Sequence, residues 1–369
     1  MPADYHDILL IQLGDIGDVV LTTPTIRAVK ETYPNARVSV LVFKPFGSLL
    51  AADPNLHEVV ETTRVRGSLF RRLYEFWKFA LLLRSKQYDL TIDLRTGDRG
   101  AIISFLTGAA TRIGRQGVAN QFWHNWVFSQ IIQNPEHAAP PVHPGADQSL
   151  RVVRELGIDT RDSTPKLYIA AETRHAADTL LAQAVPGAKN GFVTINPFSR
   201  WKYKEWDNGK WGEVIDRIWE AHHLPAVLIG SAEEALGCQQ IASGREDRVF
   251  NLAGKTTLAE LAAVISASSL HLGVDSAAPH IAAALDTPTV TIHGPTDWRA
   301  WRIVDEQHRV VSPVMDCLPC NRMGCEDSGK SRCLDGLDDA PVIRAALEVL
   351  GLGHKMHLNR MHGSLSANE

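Results

Sequence analysis

The chain has 369 residues, 44% of them hydrophobic and 22% charged, with a formal net charge of −4 at pH 7. That length predicts two globular domains, and the slightly acidic balance excludes a generic nucleic-acid binder, whose surface would be strongly basic. The opening "MPADYHD" is polar and has no secretory h-region, and no uncharged apolar run reaches the roughly 18 residues of a membrane span, so a soluble cytoplasmic protein is expected.

Along the chain, "DILLIQL" (7–13) is an apolar run of buried-strand length. A helical stretch follows to "KETYPNA", and "RVSVLV" (37–42) and "YDLTIDL" (88–94) read as further strands. Helical segments between them predict βαβ units and a parallel sheet. Residues 133–147, "QNPEHAAPPVHPGAD", hold four prolines without periodicity and read as a loop or linker. "DQSLRVVRELGI" then reads as a helix and "STPKLYI" as an extended segment, which puts the domain boundary near 165–190.

A second α/β pattern repeats the first. "GFVTINP" (191–197), "PAVLIG" (225–230), "SLHLGV" (269–274) and "TPTVTIHG" (287–294) are strands, with "KWGEVIDRIWEAHH", "TLAELAAVISAS" and "PHIAAALD" as helices. The expectation is an α/β protein of two Rossmann-like domains, 1–170 and 171–350, facing each other across a cleft. Ligands would bind beyond the carboxyl ends of the strands. The polar segment 354–369 is expected to be a flexible tail.

Three loops after strands carry the candidate chemistry. In "GVDSAAPHIAAALD", Asp275 and Ser276 are good helix caps and Pro279 suits a first helical turn. The backbone from Ser276 to His280 would then present N–H groups to a phosphate, or simply form an ordinary capped helix. In "INPFSRWKYKEW", Ser199, Arg200, Lys202 and Lys204 follow a strand directly, which suits a diphosphate; the competing reading is a solvated basic loop. In "GSAEEALG", Glu233 or Glu234 could bond a ribose hydroxyl. The opening turn "GDIGDVV" is different. It lacks the G-x-G-x-x-G spacing, and Asp15 and Asp18 would repel a pyrophosphate. A carboxylate there suits a general base, with a helix N-cap as the alternative for Asp18. Pro24 requires either a distorted helix from Asp18 or a new helix capped by Thr23.

"ILLIQLGDIGDVVLTTPTIRAVKETYP" together with "GVDSAAPHIAAALDTPTVTIHGPTD" resembles the ADP-heptose:lipopolysaccharide heptosyltransferases, glycosyltransferase family 9 of GT-B fold, over roughly residues 7–350. The resemblance implies an N-terminal half that binds a lipid A–core acceptor and a C-terminal half that binds ADP-L-glycero-D-manno-heptose. It implies Asp18, rather than Asp15, as catalytic base, and Lys204 as the lysine on the donor phosphate. The family's Asp-Thr-Gly-Leu-x-His turn corresponds to "DSAAPH", so Asp275, Ser276, Ala277, Ala278 and His280 would line the donor; Ser stands for Thr and Ala for Gly, which backbone contacts tolerate. Glu233 matches the ribose acid loosely. The implied reaction is an inverting transfer in which Lys204, Arg200, Ser199 and the 275–280 turn meet the diphosphate charge. No metal is then required, and no Asp-x-Asp triplet occurs in the chain.

"RVRGSLFRRLYEFWKFALLLRSKQ" (64–87) holds seven Arg/Lys against one acid, Glu75. Arg64, Arg66, Arg71, Arg72, Trp77 and Lys78 in a basic, aromatic helix suit an anionic membrane surface or phosphorylated headgroup; the plainer reading is a helix packing its apolar side on the sheet. Peripheral association with the inner face of the cytoplasmic membrane is therefore expected. "QGVANQFWHNWVF" (116–128) could grip a sugar or fill a core. Cys317, Cys320, Cys325 and Cys333 form a C-x2-C-x4-C-x7-C pattern that could ligate zinc or an iron–sulfur cluster, or stay as four reduced thiols. Cys238 reads as packed. The competing functions are another nucleotide-sugar transferase, a GT-B-like epimerase needing no lipid-binding helix, and a binding protein without chemistry. Asp18 argues against the last. A nicotinamide dehydrogenase is disfavoured because no G-x-G-x-x-G follows a strand.

Overall fold

The computed structural model describes residues 4–63, 67–95, 97–116, 122–133, 143–302 and 304–365. The chain divides into two units, Met1–Tyr168 and Ile169–Glu369. Arg64 and Arg66, and 117–121 of the aromatic stretch, lie outside the described residues.

In the first unit the elements run β1 (Asp7–Ile11), α1 (Ile16–Leu21), α2 (Thr23–Thr32), β2 (Arg37–Phe43), β3 (Glu58–Thr62), α3 (Leu69–Ser85), β4 (Leu90–Asp93), α4 (Asp98–Thr107), β5 (Thr111–Arg115), α5 (His124–Val127), β6 (Gln130–Ile132) and α6 (Pro144–Arg154). The second unit has α7 (Ala171–Ala184), β7 (Val193–Asn196), α8 (Asn208–His222), β8 (Ala226–Leu228), α9 (Ala235–Ala242), β9 (Val249–Asn251), α10 (Leu258–Ser266), β10 (Leu270–Val274), α11 (Ala278–Ala283), β11 (Thr289–Ile292), β12 (His308–Val311), α12 (Arg332–Asp335) and α13 (Ala340–Leu365).

Each unit holds a six-stranded parallel sheet, in the orders β3-β2-β1-β4-β5-β6 and β12-β11-β10-β7-β8-β9. Counted from its own first strand, each is the doubly wound order 3-2-1-4-5-6. The central strands are apolar runs because both faces are covered: Ile8, Leu9, Leu10 and Ile11 of β1 and all of β10 are buried. The direction of winding reverses between β1 and β4, paired Ile8↔Leu90 to Ile11↔Asp93, and between β7 and β10, paired Val193↔Leu270 to Asn196↔Gly273. Loops leaving these strands turn to opposite faces of the sheet and leave a crevice at its carboxyl edge.

Helix ends follow local chemistry. Asp207 caps α8, its Oδ1 accepting from Gly209 N at 2.8 Å and Lys210 N at 3.1 Å. The i, i+3, i+4, i+7 set Trp211, Val214, Ile215 and Ile218 then faces the core. Trp211 is fully buried and meets Trp206 edge-on, with centroids 5.2 Å apart. β3, β5, β6, β9 and β12 escape a reading by apolar runs, because they are short outer strands with charged or half-exposed residues. α6 starts at Pro144, inside the segment expected as linker, where His143 Nδ1 accepts from Ala146 N at 3.3 Å. α13 carries helix into the segment expected as a free tail. No helix among the described residues is long and apolar enough to cross a membrane.

Truncating Trp211 to Ala empties a closed site and should lower stability by about 3–5 kcal/mol. Urea denaturation followed by far-UV circular dichroism should show the midpoint fall with the slope kept.

Candidate functional site

The first switch point is built from the turn after β1 and the turn after β4. α1 starts at Ile16 with Asp15 as its cap residue, so Asp18 is not the cap but the third helical residue. Its Oδ2 folds back to accept from Asp15 N at 2.9 Å, and its Oδ1 meets Arg95 Nη1 at 3.0 Å. Gly14 makes room for this: a Cβ there would collide with the Asp18 carboxylate. A second helix, α2, follows with Thr22 rather than Thr23 as cap, and Pro24 sits in its first turn. Burial pushes the Asp18 carboxyl above its ordinary value, although Arg95 and the Asp15 backbone pull it back.

Sequence reading missed Asp93 and Arg95. Asp93 ends β4, fully buried against Gly100 of α4, whose missing side chain leaves the carboxyl its space. Its Oδ1 accepts from Arg95 N at 3.0 Å and so fixes the turn that carries Arg95 to Asp18. Burial pushes Asp93 up to about 8. The available signal was an acid at the last position of a strand adjoining the switch point.

The second switch point gathers the predicted donor residues. Lys204 Nζ meets Asp275 Oδ2 at 2.7 Å, Ser199 Oγ donates to the Asp275 carbonyl at 3.4 Å, and Ser276 Oγ donates to Asn196 Oδ1 at 2.7 Å. Glu205 Oε1 accepts from Ser199 N at 3.1 Å and from Lys202 Nζ at 2.9 Å, tying down the basic loop. Ala277 precedes the short helix α11, whose first turn holds Ala278, Pro279 and His280. Arg200 is exposed, its guanidinium over the Trp201 ring at 5.3 Å. Glu233 is exposed beyond β8, whereas Glu234 is turned back to accept from Ser231 N at 2.7 Å. Glu233 is therefore the acid presented to solvent.

Behind Asp275 stand two residues that the sequence reading passed over. His293 Nδ1 lies 3.9 Å from Asp275 Oδ2, and Arg302 Nε donates to His293 Nε2 at 3.1 Å. Burial pushes His293 down to about 3 and Arg302 down to about 10. His293 is thus neutral, with Nε2 as acceptor and the proton on Nδ1. Burial alone would raise Asp275, but the Nδ1–H of neutral His293 turned towards it and the charges of Lys204 and Arg302 hold it well below the usual carboxylate range. Asp275 stays ionised and anchors Lys204 at the strand end.

The four cysteines of the C-x2-C-x4-C-x7-C stretch lie in the second unit. Cys317 is exposed, Cys320 and Cys325 half-buried and Cys333 buried, all as free thiols. Burial, with Cys325 and Cys320 nearby, pushes the Cys333 thiol up. Among the described residues no three His, Cys, Asp or Glu side chains are arranged to hold a metal ion. α3 departs from a helix packed on its sheet: only Ala80 and Leu83 are buried, while Phe70 is 85% and Trp77 62% exposed beside the exposed Arg71, Arg72 and Lys78.

Two parallel sheets of this order, each with charged loops at its switch point, define the GT-B architecture. The solved glycosyltransferase family 9 structure from Veillonella parvula DSM 2008 is similar at a TM-score of 0.79 and 20% identity, over 95% of this chain and 98% of that one. The structure of Escherichia coli ADP-heptose lps heptosyltransferase II is similar at 0.75 and 19%, over 94% and 99%. In sequence, lipopolysaccharide heptosyltransferase 3 of Escherichia coli K12 is 31% identical over 294 residues, 77% of this chain and 82% of that protein. The model of glycosyltransferase family 9 (heptosyltransferase) matches residues 76–330. The chain belongs to glycosyltransferase family 9, and it is an enzyme of the heptosyltransferase type.

Asp93 is protonated in the folded chain between about pH 4 and 8 while the unfolded chain has lost that proton, so its contribution to stability falls as pH rises through this window. Asp93→Asn removes the penalty. Urea denaturation at pH 5 and pH 8 should show the variant gaining on wild type as pH rises; a constant difference would mean that Asp93 is ionised in the native state.

Proposed function

We propose that the chain transfers a heptose from ADP-L-glycero-D-manno-heptose to a hydroxyl of the lipopolysaccharide inner core, inverting the anomeric centre without a metal. The observation that carries the donor half is the Lys204–Asp275 pair, set at the second switch point with Ser199 and Ser276. A cation held at a strand end by a permanently ionised carboxylate is preorganised for a diphosphate. Lys204, with Ser199 and Arg200, would meet the charge that develops on the leaving ADP. His280, Ala277 and Ala278 would line the same donor, and Glu233 would bond its ribose.

The acceptor half rests on Asp18. Its carboxyl is partly desolvated and raised, which suits a base that must take a proton from a sugar hydroxyl near neutrality. The deprotonated oxygen attacks the anomeric carbon on the face away from the diphosphate, and the carbon–phosphate oxygen bond breaks. The exposed apolar and basic face of α3, with Arg71, Arg72, Trp77 and Lys78, supports docking on the anionic inner face of the membrane where a lipid-linked acceptor resides. An epimerase would turn over without an acceptor, which separates the two functions in one assay.

ADP-heptose, with UDP- and GDP-sugars as controls, is to be titrated by calorimetry into wild type and Lys204→Ala. ADP-heptose should be preferred, and the variant, checked for fold by circular dichroism, should bind about 10- to 100-fold more weakly. Equal binding of all three donors sinks the heptose assignment. Asp18→Asn should leave donor affinity intact and cut turnover by about 10²–10⁴-fold. In wild type, kcat/KM should fall on the acid side of the profile at a pKa above the ordinary 3.8 of an aspartate.

A further inference from the structure

At the second switch point a buried carboxylate has one neighbour that can leave and one that cannot. Lys204 stands in the loop after β7, and its Nζ meets Asp275 Oδ2 at 2.7 Å. Its side chain is 18% exposed, on a long stem that can swing. His293 is held in place. β10 and β11 run in register to Val274↔Ile292, so Asp275 and His293 leave neighbouring strands side by side. His293 N donates to the Val311 carbonyl at 2.9 Å, and Arg302 Nε donates to His293 Nε2 at 3.1 Å. A guanidinium only donates, so the imidazole proton sits on Nδ1, which lies 3.9 Å from Asp275 Oδ2.

That Nδ1–H is buried and has no hydrogen-bond partner among the described residues. The gap to Asp275 exceeds an ordinary N–H···O bond by about 1 Å. A buried donor left unmade costs free energy, so a small shift that closes the gap is favourable once the carboxylate is free to accept. Lys204 from the loop after β7, His293 from the end of β11 and Arg302 behind it are the groups that act on this carboxyl. A diphosphate that engages Lys204 weakens the first of them. A carboxylate this deeply buried does not stay ionised without a replacement.

We propose that His293 is the reserve partner of Asp275: when the donor diphosphate draws Lys204 away, Asp275 Oδ2 closes onto His293 Nδ1–H and stays ionised. The proposal rests on Lys204 as a diphosphate ligand and names the residue that takes its place. His293 is a positioning residue, touching no substrate and acting through Asp275 and Lys204. Arg302 keeps the imidazole in the tautomer that can donate. With the carboxylate satisfied by His293, the charge of Lys204 is left for the leaving ADP. Without a donor at 293, the carboxyl would take up a proton each time ADP binds.

ADP is to be titrated by calorimetry into the full chain as wild type, His293→Gln and His293→Asn, at about pH 6 in two buffers of different ionisation enthalpy. Gln offers Arg302 an acceptor where Nε2 stood but no donor towards Asp275, whereas Asn offers a donor where Nδ1 stood. On binding ADP, His293→Gln should take up as much as about one proton more than wild type. Its affinity should be about tenfold weaker and fall further as pH rises, since the proton is held only in the bound state. His293→Asn should match the wild-type proton count. Equal counts for wild type and His293→Gln overturn the proposal, as does an equal excess in both variants; a purely structural role would weaken binding without moving the count. Wild type with isotope-labelled histidine gives a reading that no folding defect can confuse. Its His293 Nδ1–H resonance should move downfield as ADP saturates the chain, and an unmoved resonance overturns the hand-over. If wild type binds no ADP, the diphosphate reading of Lys204 fails instead. Urea denaturation of Lys204→Met, His293→Gln and the double variant then decides the pairing alone. A midpoint loss in the double variant larger than the two single losses together supports it, and simple addition overturns it.

Discussion

Everything chemical in this molecule depends on where two parallel sheets change their winding direction. A 3-2-1-4-5-6 sheet sends the loops after its first and fourth strands to opposite faces, and only there does the carboxyl edge open enough to admit a ligand. The chain uses this constraint twice. In each unit, one loop brings an acid and another brings the cation that answers it: Asp18 with Arg95, and Asp275 with Lys204. The core helices serve this placement, since without apolar cover on both faces the strands could not run parallel and buried.

The two pairs share a position and differ in chemistry. Asp18 faces one cation that is itself 45% exposed, so burial wins and its carboxyl rises. Asp275 faces a lysine that is mostly covered, with the Arg302 guanidinium behind it beyond neutral His293, so the two cations win and its carboxyl stays ionised. One carboxyl is thereby shifted towards its neutral form and the other is fixed as a counter-charge. The difference comes from how many cations reach each site, rather than from the acid or its place in the fold.

Much of this was legible in the sequence. The apolar runs of β1, β7, β10 and β11 mark buried parallel strands, and Asp18, Lys204, Asp275 and Ser276 stand out as polar groups immediately beyond them. What was hidden depends on distant parts of the chain meeting. Arg302 finds His293 across a loop, and Asp93 owes its protonation to a glycine in the following helix, so no local pattern reports either. Of the two readings of Pro24, the new helix is the one the chain adopts, capped one residue earlier at Thr22, while α1 starts ahead of Asp18 because Asp15 caps it. For α3, periodicity shows a helix with an apolar side, but only its setting shows that the sheet covers two of its residues, Ala80 and Leu83.

Gly14 deserves a last consequence because it has no side chain to do anything with. The space beside it is occupied by the carboxylate of Asp18, folded onto the helix start. A single methyl group there would evict the acid without touching the Lys204–Asp275 pair of the second unit. Any side chain at Gly14 therefore displaces Asp18 for a reason that is purely volumetric. It is a vacancy that the Asp18 carboxylate fills, and a chain carrying alanine there would keep the Lys204–Asp275 pair of the second unit beside a displaced Asp18 in the first.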